Sequence, residues 1–179
     1  KTILKKTEKY SGKFRTPKLK VIAGEKRKET TCRENNVLIR LDVEKVYFSP
    51  RMSSERKRIA NLVKPNESVL VMFSGSGVYP LVISKNAKCK EVYGIEVNPI
   101  AHKYALENVK KNKLENRIRL FLGDVRKIMP RLNKKFDRVL MPLPKGGEDF
   151  LNLSLKYIKK YGIIHFYDFL HEGEFSKAH

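Results

Sequence analysis

The first chemistry in the sequence is suggested by residues 69–98, where a glycine turn and a carboxylate each follow an apolar run. The run Val69–Phe73 has the length and composition of a buried parallel strand. In the turn Ser74–Gly77, glycines allow the backbone to bend tightly and to approach a ligand closely. A second predicted strand, Glu91–Val97, carries Glu96 to its carboxyl end, where a carboxylate can accept hydrogen bonds from a ribose diol. The stretch therefore predicts half of a site for a nucleotide-type cofactor.

The glycine spacing distinguishes between the nucleotide-type cofactors. A dinucleotide site requires Gly-x-Gly-x-x-Gly, but Pro80 occupies the third glycine position. No Gly-Lys-Ser/Thr follows, so a triphosphate loop is absent. A short Gly-x-Gly turn with an acidic second strand fits S-adenosyl-L-methionine, which has an adenosine and no phosphate. The alternative is a tight turn that binds no ligand.

The charge of the chain favours a polyanionic partner. Its 179 residues include 39 Lys and Arg against 19 Asp and Glu, a net charge of +20. Residues 1–64 hold 19 basic and 7 acidic side chains, a net of +12, so the excess lies mainly in the N-terminal third. Nucleic acid is the expected partner, and a generally lysine-rich proteome is the alternative. Cys32 and Cys89 have no metal or disulfide spacing, and no membrane-spanning run or secretory signal is visible, which favours a cytoplasmic protein without a metal.

Two further polar or rigid segments follow predicted strands. Asp124 comes after the strand Ile118–Leu122, where it can accept from the adenine amino group or cap the next helix. The loop Pro142–Lys145 comes after the strand Phe136–Met141. It is expected to meet the cofactor methyl group, and a simple strand-to-helix turn is the alternative. Because the carboxyl ends of parallel strands share one edge of the sheet, both segments belong beside the glycine turn.

Periodicity predicts a small β-rich region followed by alternating strands and helices. The predicted strands of the first region are Leu19–Ala23, Lys28–Arg33 and Val37–Leu41. The predicted helices are Ser54–Val63, Val78–Asn86, Pro99–Asn112, Arg126–Leu132 and Glu148–Lys159. Ser53 and Asn98 are the predicted caps of the first and third of these helices. In the third helix, Ile100, Tyr104 and Val109 are expected to face the sheet. A fifth predicted strand of the sheet is Gly162–Phe169. The fold class is α/β: a Rossmann-like parallel sheet with helices on both faces, preceded by a small antiparallel β-rich domain. We place the basic domain at residues 1–50 and the cofactor-binding domain at residues 51–179.

Motifs along the whole chain carry a family resemblance. In order they are Ser11–Arg15, Asp42–Arg51, Glu55-Arg56, Met72–Gly77, Asn98-Pro99, Gly123–Arg126, Arg138–Met141 and Ile164–Tyr167. In these motifs the chain resembles the archaeal and eukaryotic tRNA guanine-37 N1-methyltransferases, which are class I, S-adenosylmethionine-dependent enzymes. The family's small N-terminal tRNA-elbow domain and its last strands have no counterpart in this sequence. The resemblance implies a tRNA anticodon stem-loop as partner, and a monomer is expected.

The resemblance implies roles for individual residues. Glu55 would be the general base on guanine N1, Arg15 would stabilise charge on O6, Tyr47 would lie near cofactor and base, and Pro144 would be the proline of the catalytic loop. The implied cofactor-binding residues are Met72, Phe73, Ser74, Gly75, Gly77, Glu96, Val97, Asn98, Asp124, Val125 and Pro142. The implied RNA-binding residues are Lys13, Arg15, Arg51, Arg56 and Lys145. From the residue types alone, Arg15 is rather a phosphate contact and Glu55 a first-turn charge favoured by the helix dipole.

Three positions depart from the family pattern. Val71 stands where an Asp usually opens the glycine motif, Pro142 where an Asn usually begins the catalytic loop, and Tyr161 where a Gly usually precedes the last strand. The first two remove polar groups expected to hold the cofactor and the base. They leave two alternatives open beside methyl transfer: aminocarboxypropyl transfer by the sister family of wybutosine synthesis, and a non-catalytic RNA-binding relative. The sequence leaves open whether the chain is truncated at its C-terminus, which tRNAs it prefers, and whether a tricyclic guanosine derivative is the true substrate.

Overall fold

The computed structural model of the chain describes residues 1–8, 12 and 14–169. Strands and helices alternate through most of this part, as the sequence predicts. The strands are β1 (Thr2–Lys6), β2 (Leu19–Gly24), β3 (Glu29–Glu34), β4 (Val37–Asp42), β5 (Ser68–Met72), β6 (Glu91–Glu96), β7 (Ile118–Leu122), β8 (Phe136–Met141) and β9 (Ile158–Phe166). The helices are α1 (Ser53–Leu62), α2 (Val78–Asn86), α3 (Pro99–Lys111), α4 (Val125–Leu132) and α5 (Leu151–Tyr157). Short 3-10 helices, Pro50–Met52 and Glu148–Phe150, precede α1 and α5.

A five-stranded parallel sheet forms the centre of the molecule, in the order β7-β6-β5-β8-β9. All five residues of β5 are buried, as expected for a strand covered on both faces. The chain moves outward from β5 to β6 and β7, and then returns to the other side of β5 with β8. The strand order therefore reverses between β5 and β8, and in such sheets ligands bind at the carboxyl ends of the strands near this reversal.

Helices cover both faces of the sheet, which confirms the predicted fold class. On one face, an apolar cluster joins the sheet to α1, α2 and α3, with Ile59, Leu81 and Tyr104 among its members. On the other face, a second cluster joins the sheet to α4 and α5, around Met129 and Phe136. The burial of these side chains supplies the main driving force for the fold.

The N-terminal region contributes two antiparallel pairs, β1-β2 and β3-β4. The second pair shares the core of the large sheet, because Val37, Ile39 and Leu41 on β4 are buried in the cluster that contains α1, α2 and α3. The division of the chain at residue 50 stays a prediction, and these contacts cross it.

Several predicted elements differ from the observed ones. Ser53 does not cap α1: it has helical φ and ψ, because the preceding 3-10 turn places Met52 at the cap position. Ile100 is 41% exposed, because the buried face of α3 carries Ala101, Tyr104, Ala105 and Val109, and Ile100 points away from that face. The helix predicted over Glu148–Lys159 is shorter, because β9 begins at Ile158, which pairs with Phe136 on β8. Strand β1 is absent from the prediction.

Two further findings concern the described residues. None of their helices has the length and apolar composition that a membrane-spanning helix needs. Within the same residues, no group of three or more His, Cys, Asp or Glu side chains is arranged to hold a metal ion.

Candidate active site

The glycine turn lies at the carboxyl end of β5, beside the strand-order reversal. Ser74 N–H donates to Ile95 O at 2.9 Å, and Gly77 N–H donates to Ser74 O at 3.0 Å, which closes the turn. Gly77 begins α2 with a φ of 81°, and a Cβ there would lie 3.1 Å from Ala105 Cβ on α3, so glycine permits the close packing of the turn against that helix. At Gly75, by contrast, a Cβ would have no heavy atom within 4 Å. The turn is thus packed on one side and open on the other.

Glu96, at the end of β6, ties this turn to the start of α3. Its Oε2 accepts from Gly75 N–H and its Oε1 from Asn98 N–H, both at 2.7 Å. The side chain is buried, and burial raises the pKa of Glu96 while the backbone hydrogen bonds oppose that rise. A carboxylate can accept about four hydrogen bonds, so the two observed bonds leave acceptor capacity for a diol.

Asn98 connects the carboxyl end of the parallel sheet, where the glycine turn and Glu96 lie, to the segment that follows β4. Its Oδ1 accepts from Ile100 N–H at 3.0 Å and Ala101 N–H at 3.4 Å, which confirms the predicted cap of α3. Its Nδ2 donates to Lys45 O at 3.0 Å, so it also fixes residues just before Tyr47. The ring of Tyr47 is 50% exposed, and Val97 is half-buried.

On the other face of the sheet, α4 and the segment before α5 lie at the same carboxyl end of the strands. Asp124 Oδ1 accepts from Arg126 N–H at 2.8 Å, so this residue caps α4, as one of the two predicted roles required. Val125 is buried beneath it. The ring of Phe73 contacts that of Phe150 edge-on at 5.0 Å, and the Arg126 guanidinium lies 4.4 Å from the Phe150 centroid. An aromatic wall therefore adjoins the glycine turn.

The structure brings Arg15 to the loop after β8. Arg15 Nη2 donates a hydrogen bond to the backbone carbonyl of Lys145. The loop begins with a tight turn in which Leu143 N–H donates to Met141 O at 2.8 Å, and Pro142 and Pro144 are half-buried in it. Of the predicted RNA-binding residues nearby, Lys145 is exposed, and Lys13 lies outside the described residues.

Glu55, in the first turn of α1, is held by two partners that sequence analysis missed. Arg58 donates to both carboxylate oxygens, from Nε to Oε2 at 2.7 Å and from Nη2 to Oε1 at 2.8 Å. The hydroxyl of Tyr167, just after β9, donates to Oε1 at 2.6 Å. These bonds lower the pKa of Glu55, with Arg58 as the largest cause, against the opposing effect of burial. The spacing of Glu55 and Arg58 on a helix could have revealed the first partner. Among the described residues no hydrogen bond joins Glu55 to Arg15.

Arg56 does not fit the predicted RNA-binding role. Its side chain is buried and forms a two-point ion pair with Glu34, at 2.5 Å from Nε to Oε1 and 2.6 Å from Nη2 to Oε2. Nη2 also donates to Ser49 O at 3.0 Å, and the guanidinium lies 5.4 Å from the Phe48 ring centroid. The guanidinium is thus committed to the interior of the protein, whereas Arg51 is exposed.

The fold and this edge define the class of protein. A Rossmann-like parallel sheet with a glycine turn after its central strand and a carboxylate after the next strand is the arrangement of a class I methyltransferase domain. The chain belongs to the family described as the TRM5/TYW2 methyltransferase domain, whose profile matches residues 30–178. The resemblance seen in the motifs is thereby confirmed.

Curated relatives of this chain carry several activities. It is 36% identical to the tRNA (guanine(37)-N(1))/4-demethylwyosine(37)-methyltransferase Taw22 of Nanoarchaeum equitans, over 99% of this chain and 75% of the relative. It is 41% identical to the tRNA (guanine(37)-N(1))-methyltransferase Trm5b of Pyrococcus abyssi, over 97% of this chain and 51% of the relative. It is also 39% identical to the tRNA(Phe) (4-demethylwyosine(37)-C(7)) aminocarboxypropyltransferase of Methanocaldococcus jannaschii, over 94% of this chain and 66% of the relative. The chain thus spans between about half and three quarters of their lengths.

Solved structures agree with this assignment. The complex of aTrm5 with tRNALeu superposes with a TM-score of 0.86 at 38% identity, over 93% of this chain and 48% of the other. The M. jannaschii TYW2 structure in complex with AdoMet gives 0.80 at 35% identity, over 89% and 71% of the two chains. The predicted cofactor, S-adenosyl-L-methionine, is confirmed at the level of the family.

Proposed function

We propose that this chain transfers a methyl group from S-adenosyl-L-methionine to N1 of guanosine 37 in the anticodon loop of tRNA. The observation that carries the proposal is the hydrogen bond from Arg15 to the carbonyl of Lys145, 130 residues along the chain. This bond places a guanidinium from the basic N-terminal third at the ligand edge of the sheet. A cation at that place suits a reaction in which negative charge develops on a base.

Glu55 suits the role of general base. Guanine N1 carries a proton, so a carboxylate must remove it as the new bond forms. The hydrogen bonds from Arg58 lower the pKa of Glu55, so its carboxylate is ionised at neutral pH and can accept that proton. The negative charge left on the base is delocalised to O6, where the Arg15 guanidinium would stabilise it.

The residues around the glycine turn fit the cofactor. The space beside Gly75 is open, so a ligand can approach the backbone closely there. Glu96 keeps acceptor capacity for the ribose diol while its two existing bonds hold it in place. When bound, the cofactor supplies an electrophilic methyl group. Val71 is fully buried in β5, so it offers no polar group to the methionine end, and other groups at the edge would have to hold it.

Charge and exposure support an RNA substrate. The net charge of +20 favours binding to phosphates, and Arg51 and Lys145 are exposed and available for such contacts. A base of the anticodon loop must leave its stack to reach the site, and aromatic rings commonly hold such a base. The half-exposed ring of Tyr47 is suited to this contact.

A second function, aminocarboxypropyl transfer from the same cofactor, is favoured by two similarities. A relative at 39% identity carries that activity, and the M. jannaschii TYW2 structure shares the fold over 89% of this chain. The Taw22 relative adds 4-demethylwyosine as an alternative base. A non-catalytic RNA-binding protein remains the third candidate, because Val71 and Pro142 replace polar residues of the family.

A transfer assay tests the proposal. The protein is incubated with labelled S-adenosyl-L-methionine and unmodified tRNA that carries G at position 37, and the digested nucleosides are identified by mass. We expect 1-methylguanosine, with about a 10²–10⁴-fold slower single turnover for Glu55→Gln and about a 10²-fold slower one for Arg15→Ala. Glu107→Gln, which removes a half-buried carboxylate of α3 that pairs with Arg40, is the matched control and should be unaffected. A heavier product would support aminocarboxypropyl transfer, and tRNA binding without any product would support the non-catalytic candidate.

A further inference from the structure

Four side chains form a hydrogen-bonded group at the ligand edge, which we call the Glu55 cluster: Glu55, Arg58, Tyr79 and Tyr167. Tyr79 OH donates to Tyr167 OH at 3.2 Å, and Tyr167 OH donates to Glu55 Oε1 at 2.6 Å. The direction of this chain is fixed by the chemistry, because an ionised carboxylate only accepts hydrogen bonds. Tyr167 therefore gives its one proton to Glu55, and its oxygen is free to accept from Tyr79.

The two tyrosines are anchored in the protein. Tyr79 is 7% exposed in the first turn of α2, directly behind the glycine turn, and its ring contacts that of Tyr167 edge-on at 6.4 Å. Tyr167 is half-buried and packs against the cluster that contains α1 and α2. The hydrogen bond to Oε1 thus comes from a group whose position is set by the core.

Arg58 is a different kind of partner. Its side chain is 58% exposed, and it pairs with Glu55 from one turn further along the same helix. Exposed ion pairs of this kind contribute little to stability and exchange readily. An RNA phosphate accepts two parallel hydrogen bonds from a guanidinium, as the carboxylate does, so it can compete for Arg58. Among the described residues, the other titratable group that acts on Glu55 is His165, whose pKa is lowered to about 4; it is neutral at pH 7 and does not replace the lost cation.

Glu55 accepts three hydrogen bonds, two at Oε1 and one at Oε2, and the ion pair with Arg58 makes its carboxylate a weaker base. We propose that Tyr167 is a positioning residue that holds Oε1 of Glu55 in place, while Arg58 turns to a phosphate of the bound RNA and frees Oε2 to take the proton of the substrate base. This inference rests on the proposed function for the identity of the proton donor. Tyr79 fixes Tyr167, and Arg58 couples the arrival of RNA to the release of the base.

Two measurements test the inference. The first is the single-turnover transfer rate at saturating cofactor and tRNA, measured from pH 5 to 9. Tyr167→Phe should lower this rate about tenfold to a hundredfold and leave the tRNA dissociation constant within about twofold, because only the orientation of the base is lost. The acidic limb of the pH–rate profile of Tyr167→Phe should lie at higher pH than that of the wild type. The ionised form of Glu55 has lost a hydrogen-bond donor, and this loss raises the pKa of Glu55. Tyr104→Phe is the matched control, since its hydroxyl also donates to a carboxylate, that of Glu29 on β3, away from the edge.

The second measurement is the pKa of Glu55, followed by carbon-13 NMR with and without an anticodon stem-loop RNA. Binding of RNA should raise the pKa of Glu55 in the wild type, because Arg58 leaves it, and should cause no such rise in Arg58→Gln. The inference is wrong if RNA leaves the pKa of Glu55 unchanged, or if Tyr167→Phe keeps both the wild-type rate and pH profile. If the wild type forms no 1-methylguanosine, the proposed function fails. The NMR comparison then decides separately whether Tyr167 and Arg58 act on Glu55.

Discussion

The side-chain amide of Asn108 on α3 pairs with both backbone groups of Arg40 on β4. Arg40 N–H donates to Asn108 Oδ1 at 2.8 Å, and Asn108 Nδ2 donates to Arg40 O at 2.9 Å. Asn112, one turn later, makes the same pair of bonds with Leu38, at 2.9 and 2.7 Å. Two amides of a helix thus bind the free edge of a hairpin as a neighbouring strand would. Asn108 also donates to Ser76 O at 3.1 Å, which links the hairpin to the glycine turn.

Replacing Asn108 with Ala should destabilise the protein by about 2–4 kcal/mol. The change leaves the N–H and carbonyl of Arg40 and the carbonyl of Ser76 without partners at a position where the side chain is 0% exposed. Urea unfolding at neutral pH measures the effect. Asn112→Ala is the comparison and should cost less, because this side chain is only half-buried and water can replace it. Equal losses for the two variants would contradict the argument from burial.

The buried ion pair of Arg56 gives a second prediction. Arg56→Ala should destabilise the fold by about 3–5 kcal/mol, because it leaves the buried carboxylate of Glu34 without its cation. Arg51→Ala should leave stability within about 0.5 kcal/mol and weaken tRNA binding with a smaller salt dependence, as expected for one lost phosphate contact. Thermal unfolding and tRNA titrations at two salt concentrations separate the two residues. Weaker tRNA binding by Arg56→Ala at unchanged stability would restore its RNA-binding role.

Features that depend on neighbours along the chain can be predicted from the sequence. The cap formed by Asn98 and the turn Ser74–Gly77 are set within a few residues, so their residue types predict them. The buried ion pair of Arg56 with Glu34 is not predicted, because Glu34 lies 22 residues earlier and only the tertiary fold brings the two side chains together.

The same limit explains the partners of the candidate base. Tyr167 lies 112 residues from Glu55, and no pattern along the chain predicts their contact. The pairing of β1 with β2 is not predicted for a different reason, since the first strand is short and none of its residues is buried. The fold class followed from periodicity alone, because the alternation of apolar strands and helices repeats along the chain.

Cofactor affinity should depend on pH through Glu96. Burial raises the pKa of Glu96, so its carboxylate takes up a proton at higher pH than an exposed Glu does, and the neutral acid is a poorer acceptor for the diol. We expect the affinity for S-adenosyl-L-methionine to fall as pH decreases toward that raised pKa. Glu96→Gln should bind about tenfold more weakly at neutral pH and lose this pH dependence. Calorimetry from pH 5 to 8 checks both. Glu91→Gln, at the opposite end of β6, should behave as the wild type.

The buried contact between Arg138 and His165 predicts a loss of stability in acid. Arg138 Nη1 lies 2.6 Å from His165 Nε2, and because arginine only donates, Nε2 must be the unprotonated acceptor. Burial, followed by the charge of Arg138, lowers the pKa of His165 to about 4. In the unfolded chain His165 therefore becomes protonated as pH falls below about 6.5, whereas in the folded protein it becomes protonated only near pH 4. The free energy of unfolding should fall by about 2–3 kcal/mol across this window.

His165→Gln tests this attribution, because glutamine keeps an acceptor for Arg138 and does not titrate. Urea unfolding at several pH values should show a smaller loss between pH 6.5 and 4.5 in this variant than in the wild type. His102→Gln, on α3, is the control: burial lowers the pKa of His102 without a contribution from a charged group of the described residues, so its effect should be smaller. An unchanged slope in His165→Gln would assign the acid sensitivity to other groups.

Tyr161 occupies a backbone position that suits glycine. Its φ is +64° and its side chain is 90% exposed, in the irregular part of β9 between the residues paired with Phe136 and Arg138. A left-handed conformation costs a residue with a Cβ about 1–2 kcal/mol, and a substitution by glycine removes this strain. Part of the gain in stability is offset, because glycine has greater conformational freedom in the unfolded chain. Tyr161→Gly should therefore stabilise the protein by about 0.5–1 kcal/mol, measured by urea unfolding. Lys160→Gly, next to it without a positive φ, should destabilise by a similar amount. A loss of stability in Tyr161→Gly would mean that the exposed ring contributes more than the backbone strain costs.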